Sequence, residues 1–232
     1  MKDVYNDGTY LAANPDWHTG DSAWKASHIL DIMERNRIRP RTVCEVGCGA
    51  GETLSQLGDR LGAEVEFTGY EISQDAYQLC QARARKNIHF FCKDFFREKN
   101  EPPFELILAI DVFEHVRDFF GFLEQLRPRG KYKLFHIPLD LSAQMLIRRK
   151  PLMDKRQLKG HLHYFTRDTA IAALQDTGYR IIDSFYTGSS MSAPGLSAKA
   201  SLFRMPRQFM FWLSPDLAVR TLGGYSLLVL TE

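Results

Sequence analysis

Several features that mark other protein classes are absent or scarce in this chain of 232 residues. Its 4 cysteines form no CxxC pair, which argues against a zinc ribbon and predicts free thiols. The apolar runs are too short to cross a bilayer, and the sequence opens without an apolar stretch of signal-peptide length. The 30 Lys and Arg nearly balance the 28 Asp and Glu, so no general attraction to nucleic acid or membranes is expected. We therefore expect a cytoplasmic protein with neither a nucleic-acid nor a membrane partner.

The remaining composition is that of an ordinary globular protein, with 44% hydrophobic, 25% charged and 12% aromatic residues. Neither an internal repeat nor a low-complexity linker divides the chain. The sequence therefore predicts a single domain over residues 1–232, in which residues 1–40 form an N-terminal helical extension.

Short β-branched or aromatic runs alternate with segments of helical period, an arrangement typical of βαβ crossovers. The predicted strands are 42–48, 66–72, 88–94, 104–112, 132–138, 179–187 and 225–231. The predicted helices are 22–37, 51–61, 73–86, 114–126 and 166–177. The pattern predicts an α/β fold with a doubly wound, mainly parallel seven-stranded sheet and helices on both faces.

Two segments interrupt this alternation and are candidate lid or acceptor-binding segments. Residues 139–165 carry no clean period and leave the fifth strand at the edge where doubly wound sheets bind ligands, so we expect a lid-like insertion there. Residues 188–222 begin with a Ser/Gly/Pro stretch and continue into an aromatic run at 206–213, which we expect to lie in the core.

The most informative stretch is a glycine-rich loop between the first strand and the following helix. Gly47, Gly49 and Gly51 alternate with Cys48 and Ala50, which allows a tight turn and close approach of a ligand to the main chain. A dinucleotide fingerprint would need Gly or Ala at position 52, where Glu52 would repel a pyrophosphate. The loop therefore disfavours a nicotinamide dinucleotide.

The pattern E-x-G-x-G-x-G, from Glu45 to Gly51, instead resembles the first motif of class I S-adenosylmethionine-dependent methyltransferases, of the type that acts on small molecules. Further segments of the chain resemble later motifs of that family in the correct order. They are Gly69–Ile72, Cys92–Phe95, Asp111–Val116, Leu126–Gly130 and His161–Thr166. The resemblance implies a Rossmann-like sheet whose last strand is antiparallel.

It also implies how S-adenosylmethionine would bind, with S-adenosylhomocysteine as the product. Glu71 would accept hydrogen bonds from the ribose, Asp94 and the Phe95 backbone would contact the adenine, and Asp111 would face the methionine portion. The complete cofactor-binding set implied is Glu45, Gly47, Cys48, Gly49, Gly51, Glu71, Ile72, Asp94, Phe95, Asp111 and Val112. Each acidic residue also has a structural alternative, such as an exposed strand end for Glu71 or a turn cap for Asp94.

Methyl transfer requires alignment of a nucleophile behind the methyl group and exclusion of water. An oxygen nucleophile must also lose a proton, and we predict His115 as the first candidate base and His163 as the second. A free amine would need no base. The sequence has no D/N-P-P-Y/F motif after strand four and no Pro-Cys pair, which argues against nucleic-acid amino and cytosine C5 methylation. No Asp-Asn pair follows strand five, and we predict no metal site.

The acceptor is predicted from a cluster of six Lys and Arg residues within positions 148–159. These charges lie beside the expected active-site mouth and favour a small anionic acceptor methylated on oxygen or nitrogen. Arg148, Arg149 and His161 are the predicted substrate-binding residues. A solvated charged loop is the alternative, and a homodimer is left open.

The N-terminal helix carries an unusual aromatic and polar group made of Trp17, His18, Trp24 and Lys25. We hypothesise that this helix folds over the cofactor pocket and brings Lys25 near the cofactor carboxylate, although an ordinary packing helix is equally compatible with the pattern. Two other functions stay open: a nicotinamide-dependent oxidoreductase and a catalytically silent protein that binds S-adenosylmethionine.

Overall fold

The structure is a computed structural model that describes residues 11–12, 17, 19–97, 102–188 and 204–232. Seven strands form one sheet in the order β3-β2-β1-β4-β5-β7-β6. They are β1 (Thr42–Val46), β2 (Glu66–Glu71), β3 (Ile88–Cys92), β4 (Phe104–Ile110), β5 (Gly130–Pro138), β6 (Ile181–Thr187) and β7 (Ser226–Thr231). Strand β7 pairs antiparallel with both β5 and β6, whereas the other pairs are parallel. The predicted sheet is confirmed.

The α-helices of the described residues are α1 (Ser22–Arg35), α2 (Glu52–Leu61), α3 (Gln74–Cys80), α4 (Phe119–Leu126), α5 (Ala143–Arg148), α6 (Lys150–Asp154), α7 (Arg167–Asp176), α8 (Arg204–Leu213) and α9 (Pro215–Leu222). Several begin at side-chain caps. Ser73 accepts a hydrogen bond from the backbone N–H of Ala76, and Thr166 accepts one from Thr169 within a capping box. Both caps confirm predicted helix starts.

Helices cover both faces of the sheet, which explains why the central strands are continuous apolar runs rather than alternating ones. On one face, α1 and α2 bury Ile29, Ile32 and Leu54. On the other face, α4 and α7 bury residues such as Leu123 and Leu174. Two hydrophobic cores, one on each side, therefore hold the strand ends in fixed positions.

The order of the strands places a crevice between β1 and β4. After β1 the chain moves outward to β2 and β3, and it then returns to β4 on the opposite side of β1. The loops after β1 and β4 consequently diverge at the carboxyl edge of the sheet, which is where such folds bind ligands. The glycine loop and the segment Asp111–Val116 both lie at this edge.

The predicted helix at 114–126 is wrong in its first part. Residues Phe113–His115 form a 3-10 turn, and the α-helix begins only at Phe119, capped by the side chain of Asp118. The carbonyl of Glu114 accepts hydrogen bonds from the backbone N–H groups of Leu162 (2.8 Å) and His163 (3.0 Å). Because this carbonyl binds another segment, it is not used within a helix.

The two segments that interrupt the alternation of strands and helices are partly helical. Residues 139–165, which we call the lid segment, contain α5, α6 and a π-helical turn at Lys155–Lys159. The expectation that the aromatic run lies in the core is wrong in part: Met210 and Phe211 pack against the core, but Phe209 and Trp212 are exposed. Helix α8 buries one side of the run only.

No helix among the described residues combines the length and the apolar character needed to span a membrane.

Candidate active site

An open cleft of about 200 Å³ lies at the carboxyl edge of the sheet. Its walls come from the ends of β1, β4 and β5, from the start of α1, and from the end of the lid segment. The residues of the glycine loop that line it are Gly47, Cys48, Gly49 and Ala50, and the charged residues and histidines are Asp21, Lys25, Glu45, Glu52, Asp111, Glu114, His115, His136, Lys155, Lys159 and His161. Titratable groups thus converge on the cleft from six separate segments, the first turn of α2 included.

The glycine loop has the backbone geometry that its glycines allow. Gly47, Gly49 and Gly51 have φ values of +72°, +54° and +75°, in the left-handed region that side chains disfavour. A Cβ on Gly51 would lie 2.6 Å from the ring of Phe90, and one on Gly49 would lie 2.8 Å from the ring of Trp17. The loop therefore requires glycine both for its turn and for the close packing around it.

Glu71 lies at the end of β2 and binds this loop. Its carboxylate accepts hydrogen bonds from the backbone N–H groups of Gly49 (2.9 Å) and Ser73 (2.8 Å). Burial raises the pKa of Glu71, while these backbone hydrogen bonds oppose the rise. Ile72 beside it is exposed. The carboxylate orders the loop and keeps further lone pairs for a ligand.

A shallow surface pocket follows on the other side of Ile72, lined also by Cys92, Lys93, Asp94 and Arg97. Asp94 accepts a hydrogen bond from the backbone N–H of Phe96 at 3.0 Å, so it holds the turn after β3. Phe95 is buried in the core. Asp94 lies at this pocket, whereas Phe95 does not line it, and the turn-cap alternative for Asp94 is also observed.

Asp111 links three segments of the cleft. It has φ +54°, and it contacts Nζ of Lys25 at 2.9 Å and Nδ1 of His136 at 2.6 Å. Burial alone would raise the pKa of Asp111, but His136 and Lys25 hold it well below its usual value. Burial disfavours the Lys25 ammonium, yet Asp111 and Asp21 raise its pKa above the ordinary value. Asp111, Lys25 and Asp21 therefore form a network of charged side chains.

Glu45 lines the cleft from β1 and is nearly fully buried. Within the described residues its Oε2 atom has no hydrogen-bond partner. Burial raises the pKa of Glu45 to about 8, with Lys25 lowering it and Glu71 raising it. A cation that entered the cleft would stabilise the ionised carboxylate.

The far end of the cleft holds the histidine cluster, which consists of Glu114, His115 and His161. One potential ligand atom from each of the three lies within 4.8 Å of the others. His161 Nδ1 bonds Asp140 at 2.7 Å, and Lys155 Nζ contacts the other oxygen of Asp140 at 2.8 Å. Burial alone would raise the pKa of Asp140, but His161 and Lys155 lower it.

Glu114 is fully buried, and burial together with Asp111 raises its pKa well above the usual range.

Three of the predicted catalytic and acceptor-binding residues lie outside the cleft. His163 Nε2 is 2.9 Å from the carbonyl oxygen of Val116 and its ring packs on Phe119, so the structure assigns it to packing rather than catalysis. Arg148 and Arg149 are exposed at the end of α5 and do not line the cleft. Lys155 and Lys159 do, because the π-helical turn carries them back over the strand ends. The predicted cationic segment therefore lines the cleft through Lys155 and Lys159 and not through Arg148 and Arg149.

The remaining predicted residues are placed as follows. Cys48 is buried against the glycine loop, and all four cysteines are free thiols. Val112 packs on Gly47, within 2.9 Å of where a Cβ would lie. Helix α1 brings Lys25 into the cleft, as hypothesised, whereas His18 lies outside the described residues. His136, at the end of β5, was not selected as a site residue, although it lies at a strand end where ligands bind.

Comparisons with known proteins agree with this geometry. Residues 18–184 match a family whose members are described as a methyltransferase domain. No curated protein matches the sequence significantly.

Among solved structures, magnesium protoporphyrin IX methyltransferase from Synechocystis, with bound S-adenosylhomocysteine, superposes with a TM-score of 0.60 at 12% identity over 90% of this chain and 83% of that chain. A putative methyltransferase from Haloferax volcanii, in complex with a methyltransferase activator, superposes with a TM-score of 0.64 at 15% identity, over 97% of this chain and 94% of that chain. A putative sarcosine dimethylglycine methyltransferase from Galdieria sulphuraria superposes with a TM-score of 0.63 at 13% identity, over 97% of both chains.

Proposed function

The chain belongs to the methyltransferase domain family, and we propose that it transfers a methyl group from S-adenosylmethionine to an oxygen or nitrogen of a small anionic metabolite. The observation that carries the proposal is the division of the cleft. Glu45 lines the side next to the glycine loop, whereas Lys155, Lys159, His115 and His161 line the opposite side, together with the single buried carboxyl group of Glu114. The first side suits a cationic cofactor and the second an anionic acceptor.

The cofactor side has the groups that S-adenosylmethionine needs. Its sulfonium and ammonium groups are cations, and Glu45 offers a buried carboxylate oxygen that has no partner among the described residues. The ribose hydroxyls can donate to Glu71, whose two oxygens each accept one backbone hydrogen bond and retain further lone pairs. The adenine would lie beyond Ile72, over the pocket that Asp94 borders.

The acceptor side is formed by the returning lid segment. Lys155 is fixed by Asp140, and Lys159 lies on the next turn toward the cleft mouth. Two ammonium groups at this entrance would attract and orient a carboxylate or phosphate of the acceptor. An uncharged acceptor would gain nothing from them.

The bound cofactor supplies an activated methyl group, so the protein has to align the acceptor and exclude water. The lid segment closes the far side of the cleft, and Asp111 with Lys25 closes the side next to α1. An acceptor hydroxyl would have to lose its proton at the histidine cluster, where His115 is the predicted base that lines the cleft.

A nicotinamide dinucleotide is disfavoured by the same loop. Glu52 lines the cleft in the first turn of α2, where a pyrophosphate would have to bind, and it is paired with Arg83 from the neighbouring segment. A silent cofactor-binding protein is the second candidate, and it differs from an enzyme only in turnover.

The test is calorimetric binding of S-adenosylmethionine combined with transfer of label from methyl-labelled cofactor into a metabolite extract. Glu71→Gln should weaken cofactor binding by about 10- to 100-fold, because hydrogen bonds to a charged group contribute about 1.5–3 kcal/mol. Glu66→Gln, at an exposed carboxylate that begins the same strand, is the matched control and should leave binding unchanged. Absence of cofactor binding by the unmodified chain would refute the proposal. Binding without any labelled product would favour the silent alternative.

A further inference from the structure

The histidine cluster at the far end of the cleft contains a buried charge that the methyltransferase reaction does not by itself explain. Glu114 has 0% exposure, and among the described residues neither of its carboxylate oxygens has a hydrogen-bond partner. Burying an ionised carboxylate without a partner costs several kcal/mol, so such groups are paired, protonated or bound to a metal. Glu114 therefore needs either a proton or a cation beside it.

The neighbouring cations are already engaged by other carboxylates. Lys25 lies between Asp111 and Asp21, and Lys155 lies against Asp140. The group nearest to Glu114 is His115, whose Nε2 atom is 3.8 Å from Oε1, too far for a hydrogen bond. The side chains around Glu114 thus give its carboxylate no hydrogen bond, and they offset its charge only from a distance.

The same side chains form a set of metal ligands. One carboxylate and two imidazoles offer ligand atoms within 4.8 Å of one another, and the rings of His115 and His161 are 4.9 Å apart and perpendicular. Ligand atoms around a tetrahedral zinc are about 3.4 Å apart for bonds of about 2.1 Å, a distance that small side-chain rotations would reach. We propose that Glu114, His115 and His161 bind a divalent transition metal, with zinc as the probe, at the acceptor end of the cleft.

The surroundings of the cluster support a metal rather than a proton. Asp140 bonds Nδ1 of His161 at 2.7 Å, which directs the opposite ring nitrogen away from Asp140 and makes it a better ligand. Lys155 holds that carboxylate in place from its other oxygen. Two imidazoles and one carboxylate suit zinc and its neighbours, whereas magnesium prefers oxygen ligands. This proposal differs from the prediction from the sequence that the chain has no metal site.

The three protein ligands leave a coordination position that faces the cleft, as in catalytic zinc sites. The protein can bind the metal whether or not the proposed function is correct, but the catalytic role given to the metal rests on the proposed function. A bound acceptor hydroxyl would lose its proton to solvent at neutral pH, and its oxygen would form the new bond to the methyl carbon while the carbon–sulfur bond breaks. S-adenosylhomocysteine is then the leaving group, and His115 serves as a ligand instead of the base.

The experiment is a calorimetric titration of the metal-free full chain with zinc chloride, repeated with cobalt chloride and followed by visible absorption. We expect one equivalent of zinc and a cobalt absorption band typical of nitrogen and oxygen ligands. Glu114→Gln and His161→Ala should each abolish this equivalent. Asp140→Asn, which keeps the three ligands but weakens the support of His161 and the ion pair with Lys155, should weaken zinc binding by about 10- to 100-fold.

His89→Ala is the matched control, because His89 is an exposed histidine 3.9 Å from Glu66 and lies away from the cleft. It should bind zinc as the unmodified chain does. Glu114→Gln removes a buried charge, so its metal-free form should be at least as stable as the parent, and zinc should no longer raise its melting temperature. Absence of zinc uptake by the unmodified chain, or uptake that survives both Glu114→Gln and His161→Ala, would overturn the proposal. Cofactor affinity measured in the same samples tests the proposed function separately.

Discussion

Glu45 allows a quantitative test of cofactor binding, because the charge of this one carboxyl group should depend on pH and on the ligand together. Burial raises the pKa of Glu45 to about 8. At pH 7 the ligand-free protein would therefore carry a protonated Glu45 in about 90% of molecules. The perturbation is a change of pH from 6 to 9, compared with the substitution Glu45→Gln.

The magnitude follows from linkage between protonation and binding. S-adenosylmethionine brings positive charge into the cleft, which lowers the pKa of Glu45 and releases its proton. Below the free pKa, affinity then rises about tenfold per pH unit, and above it the affinity levels off. Between pH 6 and pH 9 the dissociation constant should fall by about 100-fold.

The assay is calorimetry at each pH in two buffers with different ionisation enthalpies, which counts the protons released. Glu45→Gln resembles the protonated side chain, so its affinity should lack this rise with pH. The affinities of the two proteins should converge as the pH falls and differ most at pH 9. The cofactor's own amino group titrates identically in both proteins, and only the difference between them reports Glu45. An equal pH slope in the two proteins would refute the reasoning.

Glu45 also gives a check on stability that needs no ligand. Its folded pKa lies above the value of about 4.5 expected in the unfolded chain, so the native state binds the extra proton between these two pH values. Stability from this group is therefore present at acid pH and is lost as pH rises toward 8. Urea unfolding of Glu45→Gln should show a smaller loss of stability over that range.

Three further substitutions test other parts of the site. Gly49→Val should abolish cofactor binding in a folded chain, because a β-branched residue disfavours the φ of +54° there; calorimetry beside circular dichroism checks this. Lys25→Met should lower the free energy of unfolding by about 1–3 kcal/mol, since it leaves Asp111 with one cation fewer. Lys150→Met, at a side chain that is 82% exposed, should change it by about 0.5 kcal/mol or less in urea unfolding. Lys159→Ala should raise the KM for the acceptor several-fold, and Arg148→Ala, outside the cleft, should leave it unchanged in steady-state kinetics.

The sheet could be predicted because its signals are local. Buried strands read as short apolar runs, and caps such as Ser73 and Thr166 mark where helices begin. The helix expected at 114–126 failed for a reason outside that segment. The Glu114 carbonyl bonds N–H groups that lie almost fifty residues later in the chain, and no local pattern reports such a contact.

In the candidate site, too, residues at strand ends could be placed from local patterns, whereas residues of the lid segment could not. Glu45, Glu71 and Asp111 could be predicted because the ends of parallel strands meet at one edge of the sheet, whatever the loops do. The lid segment has no period, so its sequence gives its charge but not the direction of each side chain. Arg148 and Lys159 are equally basic in the sequence, and only the path of the chain places one in solvent and the other at the cleft.

Glu114 shows why the histidine cluster could not be found before the fold was known. The dipeptide Glu114–His115 indicates a polar turn after strand four, and His161 lies in a distant segment. The bonds from Leu162 and His163 to the Glu114 carbonyl are the contacts that dock the lid segment, and they place His161 against the buried carboxylate in the same step. A lid segment that moved away would separate the ligands and expose Glu114 to water. Docking of the lid segment therefore both forms the acceptor end of the cleft and brings His161 to the buried charge of Glu114. A metal bound there should stabilise the docked lid segment.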